Sequence, residues 1–301
     1  MSGSSGSSYR DVNTSSKINT SQEAVSTSEL EMEINKLLEE LLKHINDRDV
    51  EAIRTHLNEI EKTLGKEIEG IEQILFGGSL SKKTFVEGIS DVDALVVIKP
   101  DIASGLTPKE LQNKFYDLLL QRFPNTEINK GILAVTIKFY DYEIQLLPAI
   151  REEGKIRIAS SKSLEWSQLI NTTAFTSKLT GINKINSNKV VPVIKLTKHL
   201  LGLLPERYKL SGYHIEALAV EAFNGYNGRI TLFDMTKHLL NIAEKRILKP
   251  MIDITGQSGN IDQYFGEKNS LHRQYASKQI RALNGKFSNP ATINSIRTLF
   301  D

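Results

Sequence analysis

The chain has 301 residues, 40% of them apolar and 25% charged, which suffices for about two domains and matches an ordinary globular protein rather than a disordered or fibrous one. It has no cysteine, and its six histidines never fall at i, i+4 spacing, so disulfides, cysteine nucleophiles, thiolate or histidine-built zinc sites and iron–sulfur clusters are excluded. The net charge of +2 hides an asymmetry, because residues 1–150 carry 16 basic and 24 acidic side chains and residues 151–301 carry 22 and 12; a polyanion is expected to meet the second half.

Residues 1–28 hold ten serines and almost nothing apolar, so a disordered tail is expected there. The tail lacks the apolar stretch of a secretory signal, and no run approaches the ~20 apolar residues of a membrane helix, so a cytoplasmic protein without a membrane partner is expected. From Ser28, a cap with Glu31 three residues on, Leu30, Ile34, Leu37, Leu38, Leu41, Leu42 and Ile45 recur at helical spacing. A second amphipathic helix is expected from Val50 to Leu64.

"IEQILFGGSL" then passes from an apolar run to a Gly-Gly-Ser turn, and "DALVVIKP" reads as a buried strand ended by Pro100. Residues 108–123 read as a helix with Pro in its first turn. Strands are expected at Ile132–Tyr140 and Glu143–Leu147. The second half reads as helices over about 163–179, 188–203, 212–224 and 231–246, a loop-rich stretch, and a helix from Ser270 to about Asn284. The expected fold class is α/β (α+β): a tail over 1–28, a lobe over 29–160 with a small mixed sheet and helices, and a helical lobe over 161–301, with an active-site cleft between the lobes.

The chemistry-bearing segment is Gly77-Gly78-Ser79, followed after eleven residues by Asp91-Val92-Asp93 at the start of the apolar strand. Alternate residues of a strand share a face, so two carboxylates lie close together and repel unless a cation joins them. Carboxylate oxygens are the hard ligands Mg²⁺ prefers, usually together with substrate phosphates. Gly78 lets backbone N–H groups approach an anion, and the Ser79 hydroxyl adds a donor. A phosphate cradle beside a metal-binding carboxylate pair is the equipment of two-metal nucleotidyl transfer.

"GGSLSKKTFVEGISDVDALVV" resembles the signature of the DNA polymerase β-like nucleotidyltransferases. More narrowly it is similar to the branch containing the 2′-5′-oligoadenylate synthetases, cyclic GMP–AMP synthase and the bacterial cGAS/DncV-like enzymes (CD-NTases). Thr84 and Gly88 fall where that branch commonly has Thr and Gly. "YEIQLLPAI" resembles the strand bearing its third metal-binding acid, "VIKLTKHLL" the helix whose Lys, here Lys198, contacts the donor triphosphate, "LSGYHIEALAVEAF" the Ser-Tyr segment that meets phosphate and base, and "DITGQSGN" its Asp-x-Thr-Gly loop.

The resemblance implies a polymerase β-like fold and a template-independent enzyme that joins nucleoside triphosphates into a cyclic di- or trinucleotide second messenger for antiphage signalling, releasing pyrophosphate. It implies two Mg²⁺ or Mn²⁺ ions on Asp91 and Asp93, and nucleotide contacts from Gly78, Ser79, Lys198, Ser211 and Tyr213. ATP, GTP or another nucleoside triphosphate is the expected partner, without a DNA template; a regulatory protein partner is compatible with it, and a monomer is expected. Tyr213 is equally suited to stacking on a base, worth ~1–3 kcal/mol, or to core packing. Lys82 and Lys83 are expected to be solvated or strand-contacting, and His214 structural.

One departure stands out: the third acid position is occupied by Gln145, a neutral oxygen donor that cannot act as a base. Glu143 has the parity of Gln145 and substitutes for it if no bulge intervenes. Gln145 leaves open a natural variant that uses Glu143, a chain mutated to trap substrate, or a catalytically weak or inactive nucleotide-binding member; an RNA-tailing or antibiotic-modifying transferase on the same fold is a separate alternative.

Overall fold

The computed structural model describes residues 11–46, 50–68, 70–76, 82–84, 92–103, 105–139, 142–160, 165–167, 169, 171, 173–256 and 259–301. Gly78, Ser79 and Asp91 lie outside the described residues, as does the side chain of Asp93. Among the described residues, no helix is long and apolar enough to cross a membrane.

Helix α1 spans Asp11–Asn46 and α2 Val50–Glu67. The tail expectation is thus corrected over 11–28, and Ser28 sits inside a helix rather than capping one. Adding turns to a helix already nucleated by packing of its C-terminal half costs little. Ile34, Leu37, Leu38 and Leu42 of α1 are buried with the second-half helices rather than with the sheet, which moves α1 out of the sheet lobe in which the sequence placed it.

Strands β1 (Ile71–Phe76), β2 (Val92–Ile98), β3 (Glu127–Lys130), β4 (Val135–Lys138), β5 (Glu143–Glu152) and β6 (Lys155–Ile158) form one mixed sheet. Its order is β1-β2-β5-β4-β3, with β6 pairing β5; β2 and β5 are parallel and the other pairs antiparallel. The strand expected at Ile132–Tyr140 is shortened to β4 and is preceded by β3, which was not expected from the sequence; Ile132 is exposed in the turn between them. The hairpin joining β5 to β6 turns on Glu153 (φ 51°) and Gly154 (φ 74°), the pair of positive φ angles that a right-twisted two-residue turn requires.

Between β2 and β4 lie a one-turn helix α3 (Pro100–Ala103) and α4 (Pro108–Arg122). Helix α4 starts where the sequence predicts, because Thr107 and Glu110 form a reciprocal capping box and Pro108 occupies the first turn. Leu111, Phe115 and Leu119 of α4 and Ile53, Leu57, Ile60 and Leu64 of α2 cover the sheet face carrying Ala94, Val96, Ile98, Ile144 and Leu146. Alternation therefore puts positions 93, 143 and 145 on the opposite face.

The remaining helices are α5 (Ala174–Ile185), α6 (Val190–Gly202), α7 (Gly212–Phe223), α8 (Leu232–Arg246), α9 (Leu271–Ser288) and α10 (Ile293–Arg297). The helix expected from 163 starts only at Ala174, because Trp166 pairs with Ala159 in a β-bridge and its indole N–H donates to Leu106 O at 3.2 Å.

Candidate functional site

The parallel ladder between β2 and β5 pairs Val92 with Ile144, Asp93 with Gln145 and Ala94 with Leu146. On the other side of β5, Gln145 pairs with Thr136 and Glu143 with Lys138. Neither ladder carries a bulge over these residues. Asp93 and Gln145 are therefore immediate neighbours across two strands, and Glu143 lies two residues further along the same face of β5, ~7 Å away at the usual strand rise. The Glu143 carboxylate is 3.9 Å from the Lys138 ammonium, and both side chains are substantially exposed.

A second group of residues gathers around Glu216 of α7. Lys198, on α6, is fully buried, and its ammonium donates to Glu216 Oε1 at 2.9 Å and to the backbone carbonyl of Thr84 at 3.0 Å. The Thr84 hydroxyl donates to the same carboxylate, and the Lys82 ammonium forms an ion pair with Glu216 Oε2. Of the two expectations for Lys82, solvated or strand-contacting, the first is corrected: its side chain is only 7% exposed, and its ammonium lies 4.9 Å from the Phe175 ring centre and 5.2 Å from that of Tyr213. Aromatic faces of this kind attract cations.

Burial pushes the Glu216 carboxyl up, but the ammonium groups of Lys198 and Lys82 outweigh it and hold the group below the usual carboxylate range. Burial and the Lys198 charge hold Lys195, one turn away on α6, below the usual lysine range. At the start of α7, Gly212 leaves room for the Lys198 ammonium, which a Cβ there would approach to 3.2 Å.

Tyr213 leans on Phe175 with ring centres 4.7 Å apart and donates its hydroxyl to Asp253 at 2.7 Å. Asp253 accepts in turn from the N–H and the hydroxyl of Thr255 at 2.9 and 2.7 Å, which closes the turn of the Asp-x-Thr-Gly loop. Burial, the hydrogen bond to Asp253 and the nearby carboxylates raise the phenol well above its ordinary range. Ser211 caps α7, accepting from the His214 N–H at 3.2 Å, and its own N–H donates to Tyr264 Oη. His214 is fully buried beside Asp262, at 3.8 Å.

The fold thus brings Lys198, Thr84, Tyr213 and Ser211 to one wall and pairs Asp93 with Gln145 on the sheet; Gly78, Ser79 and Asp91 are outside the described residues. Sequence reasoning missed Glu216 and Phe175. A signal for Glu216 existed: it is the one acid among the buried positions of α7, where only a strongly paired carboxylate survives.

Residues 32–183 match the family model described as "Second Messenger Oligonucleotide or Dinucleotide Synthetase domain" (SMODS). No curated protein matches the chain. Among solved structures, CdnC of Escherichia coli MS115-1 with ATP is 15% identical, with a TM-score of 0.61 over 84% of this chain and 91% of that one. The Bradyrhizobium diazoefficiens CD-NTase CdnG in complex with GTP is 13% identical, with a TM-score of 0.62 over 88% and 92%. Escherichia coli DncV, in a form bound to 3′-deoxy GTP, is 12% identical, with a TM-score of 0.61 over 95% and 89%. The mixed sheet backed by α2 and α4, the helical second half and the order of the motifs are accounted for together: the chain belongs to the second messenger oligonucleotide or dinucleotide synthetase family and has the polymerase β-like fold of the bacterial CD-NTases.

Proposed function

We propose that the protein is a nucleotidyltransferase that joins nucleoside triphosphates into a cyclic di- or trinucleotide, releasing pyrophosphate at each bond. The observation that carries this reading is the docking of residues 82–84, which follow the Gly-Gly-Ser turn, onto Lys198 and Glu216 of the helical half. In this reading the contact supports a site in which the segment that follows the turn meets the lysine expected at the triphosphate. The family match and the nucleotides in the solved relatives, ATP with CdnC and GTP with CdnG, support the substrate class. CdnC also occurs in a complex with HORMA-deltaN, which favours a regulatory protein partner here too.

In this reading Ser79, Gly78 and Lys198 hold the donor triphosphate, and Tyr213 and Ser211 border the nucleotide. The acceptor hydroxyl attacks the α-phosphorus in line; the new P–O bond forms as the bond to the β-phosphate oxygen breaks. Asp91 and Asp93, with the neutral oxygen of Gln145 beside Asp93, are a hard-oxygen donor set that fits Mg²⁺ or Mn²⁺. Bound there, the ions would supply positive charge against that developing on the attacking and leaving oxygens.

Incubation with radiolabelled ATP, GTP, CTP and UTP and either metal, followed by phosphatase, tests the reading. A phosphatase-resistant product is expected, and Asp93→Asn lowers its formation by about 10³-fold, the rate equivalent of the several kcal/mol of charge stabilisation that bound metal supplies. Unchanged turnover in that variant would remove the metal assignment. Gln145 opposite Asp93 favours a second reading, a catalytically weak nucleotide-binding member. No product with any metal, together with a melting temperature raised by nucleotide, would establish it.

A further inference from the structure

Among the described residues, the cluster around Glu216 sets two ammonium groups on one carboxylate. One carboxylate faces two ammonium groups, Lys82 from the segment between β1 and β2 and Lys198 from α6, and all three side chains are at most 7% exposed. A buried ion pair needs only one cation per anion, and each further buried cation carries a desolvation cost. The Lys198 ammonium lies 3.2 Å from where a Cβ at Gly212 would be, at the start of α7, beside the positive end of a helix dipole. Lys195, one turn away on α6, adds a further lysine close enough to Lys198 for its charge to be felt.

We propose that Glu216 is a positioning residue for the donor triphosphate: its buried carboxylate clasps Lys82 and Thr84 of the β1–β2 segment to Lys198 of α6 and thereby fixes the segment that follows the Gly-Gly-Ser turn against the helical half. The inference rests on the nucleotidyltransferase reading above. Glu216 acts through the lysines; its two oxygens are already shared among Lys198, Lys82 and the Thr84 hydroxyl. The aromatic faces of Phe175 and Tyr213 hold the Lys82 ammonium on its outer side. Without the carboxylate the two cations would repel each other, the Thr84 hydroxyl would lose its acceptor, and the segment after the phosphate turn would come loose from the helical half. Nucleotide binding would then lose what depends on the outer phosphates and keep what depends on base and ribose.

The test measures binding of ATP and of AMP to the full chain, each with Mn²⁺, by calorimetry. The wild type is expected to prefer ATP. Glu216→Gln, isosteric but uncharged, should weaken ATP binding by about tenfold or more, the size of a lost charge-assisted contact, and leave AMP within about twofold. Glu216→Asp should recover part of the ATP affinity. Equal losses for ATP and AMP, or none, would overturn the proposal while the preference of the wild type keeps the enzyme reading in place. Should Glu216→Gln fail to fold, Thr84→Val is read in the same way: a smaller loss selective for ATP supports the clasp, and unchanged ATP affinity overturns it. A wild type that does not prefer ATP over AMP would instead remove the nucleotidyltransferase reading, and the clasp with it.

Discussion

Gln145 is where residue chemistry and position can be weighed most directly. The ladder pairs it with Asp93, in the place the family pattern gives to an acid, and an amide there can ligate a cation but cannot accept the proton of an attacking hydroxyl. Gln145→Asp is therefore expected to raise the rate of pyrophosphate release, on the order of 10²-fold, the usual worth of a placed general base. Glu143 lies on the same face without a bulge, as its parity required, but it pairs with Lys138 across the strand rather than with Asp93. Glu143→Gln is accordingly expected to change the rate by less than about threefold and, as an exposed ion pair, stability by less than ~1 kcal/mol. A large loss of turnover in that variant would move the missing base to Glu143. Both positions were legible in the sequence, because a period of two needs only a strand; which of them faces Asp93 was not, because register between β2 and β5 is a relation across 52 residues that hydrophobic alternation leaves unspecified.

Among the elements, those whose ends carry their own chemistry were read closely. Helix α4 is an example, with Pro108 inside its first turn and Thr107 before it. Thr107→Ala should cost ~1 kcal/mol, measured as a shift of the urea midpoint without a change in slope. Helix α8 likewise begins after Thr231, which accepts from Asp234 N. The misread elements lack such marks or have marks of another kind. Strand β6 is four residues long and exists because Glu153-Gly154 turns the chain back; the Glu-Gly pair resembles the Asp-Gly turn signal closely enough to have betrayed it. The segment before Ala174 is apolar enough for a helix, yet Trp166 is held by a bridge to Ala159 and by Leu106, contacts that local periodicity does not register.

For the whole molecule, a buried group in the helical half couples stability to pH. Arg273 is fully buried and donates to Asp262 Oδ2 at 2.7 Å, to Ile247 O and to Gly266 O. Burial pushes Asp262 up, but the hydrogen bonds from Arg273 and Met251 and the charges of His214 and Arg273 hold its carboxyl below the usual range. His214, beside it, is pushed down to about 4, by burial first and then by the charges of Arg273 and Arg246, against the pull of Asp262. A histidine with a depressed folded value binds its proton more readily when unfolded, so the stability it protects is intact above about 6.5 and falls as pH drops toward about 4; the depressed Asp262 acts in the same direction below that. The melting temperature is therefore expected to fall over this window, and His214→Asn should flatten the fall; an equally steep profile in the variant would dissociate it from His214.

The charge asymmetry is also clearer at this scale. Part of the acidic excess of the first half belongs to α1, whose apolar face is buried with the second-half helices, while Lys82, from the acidic half, joins Lys195 and Lys198 on the basic side of the site. The amino-acid sequence by itself determined the class of fold and the oddity of Gln145, and it raised the expectation of a site at Ser79, Asp91, Asp93 and Lys198, since residue type and local period carry those. Only the tertiary structure decided that Gln145 adjoins Asp93, that Lys82 is an inner residue and that Glu216 ties Thr84 to Lys198. Thr84 and Glu216 are 132 residues apart, and a contact at that range is set by how two buried surfaces meet, not by any pattern along the chain.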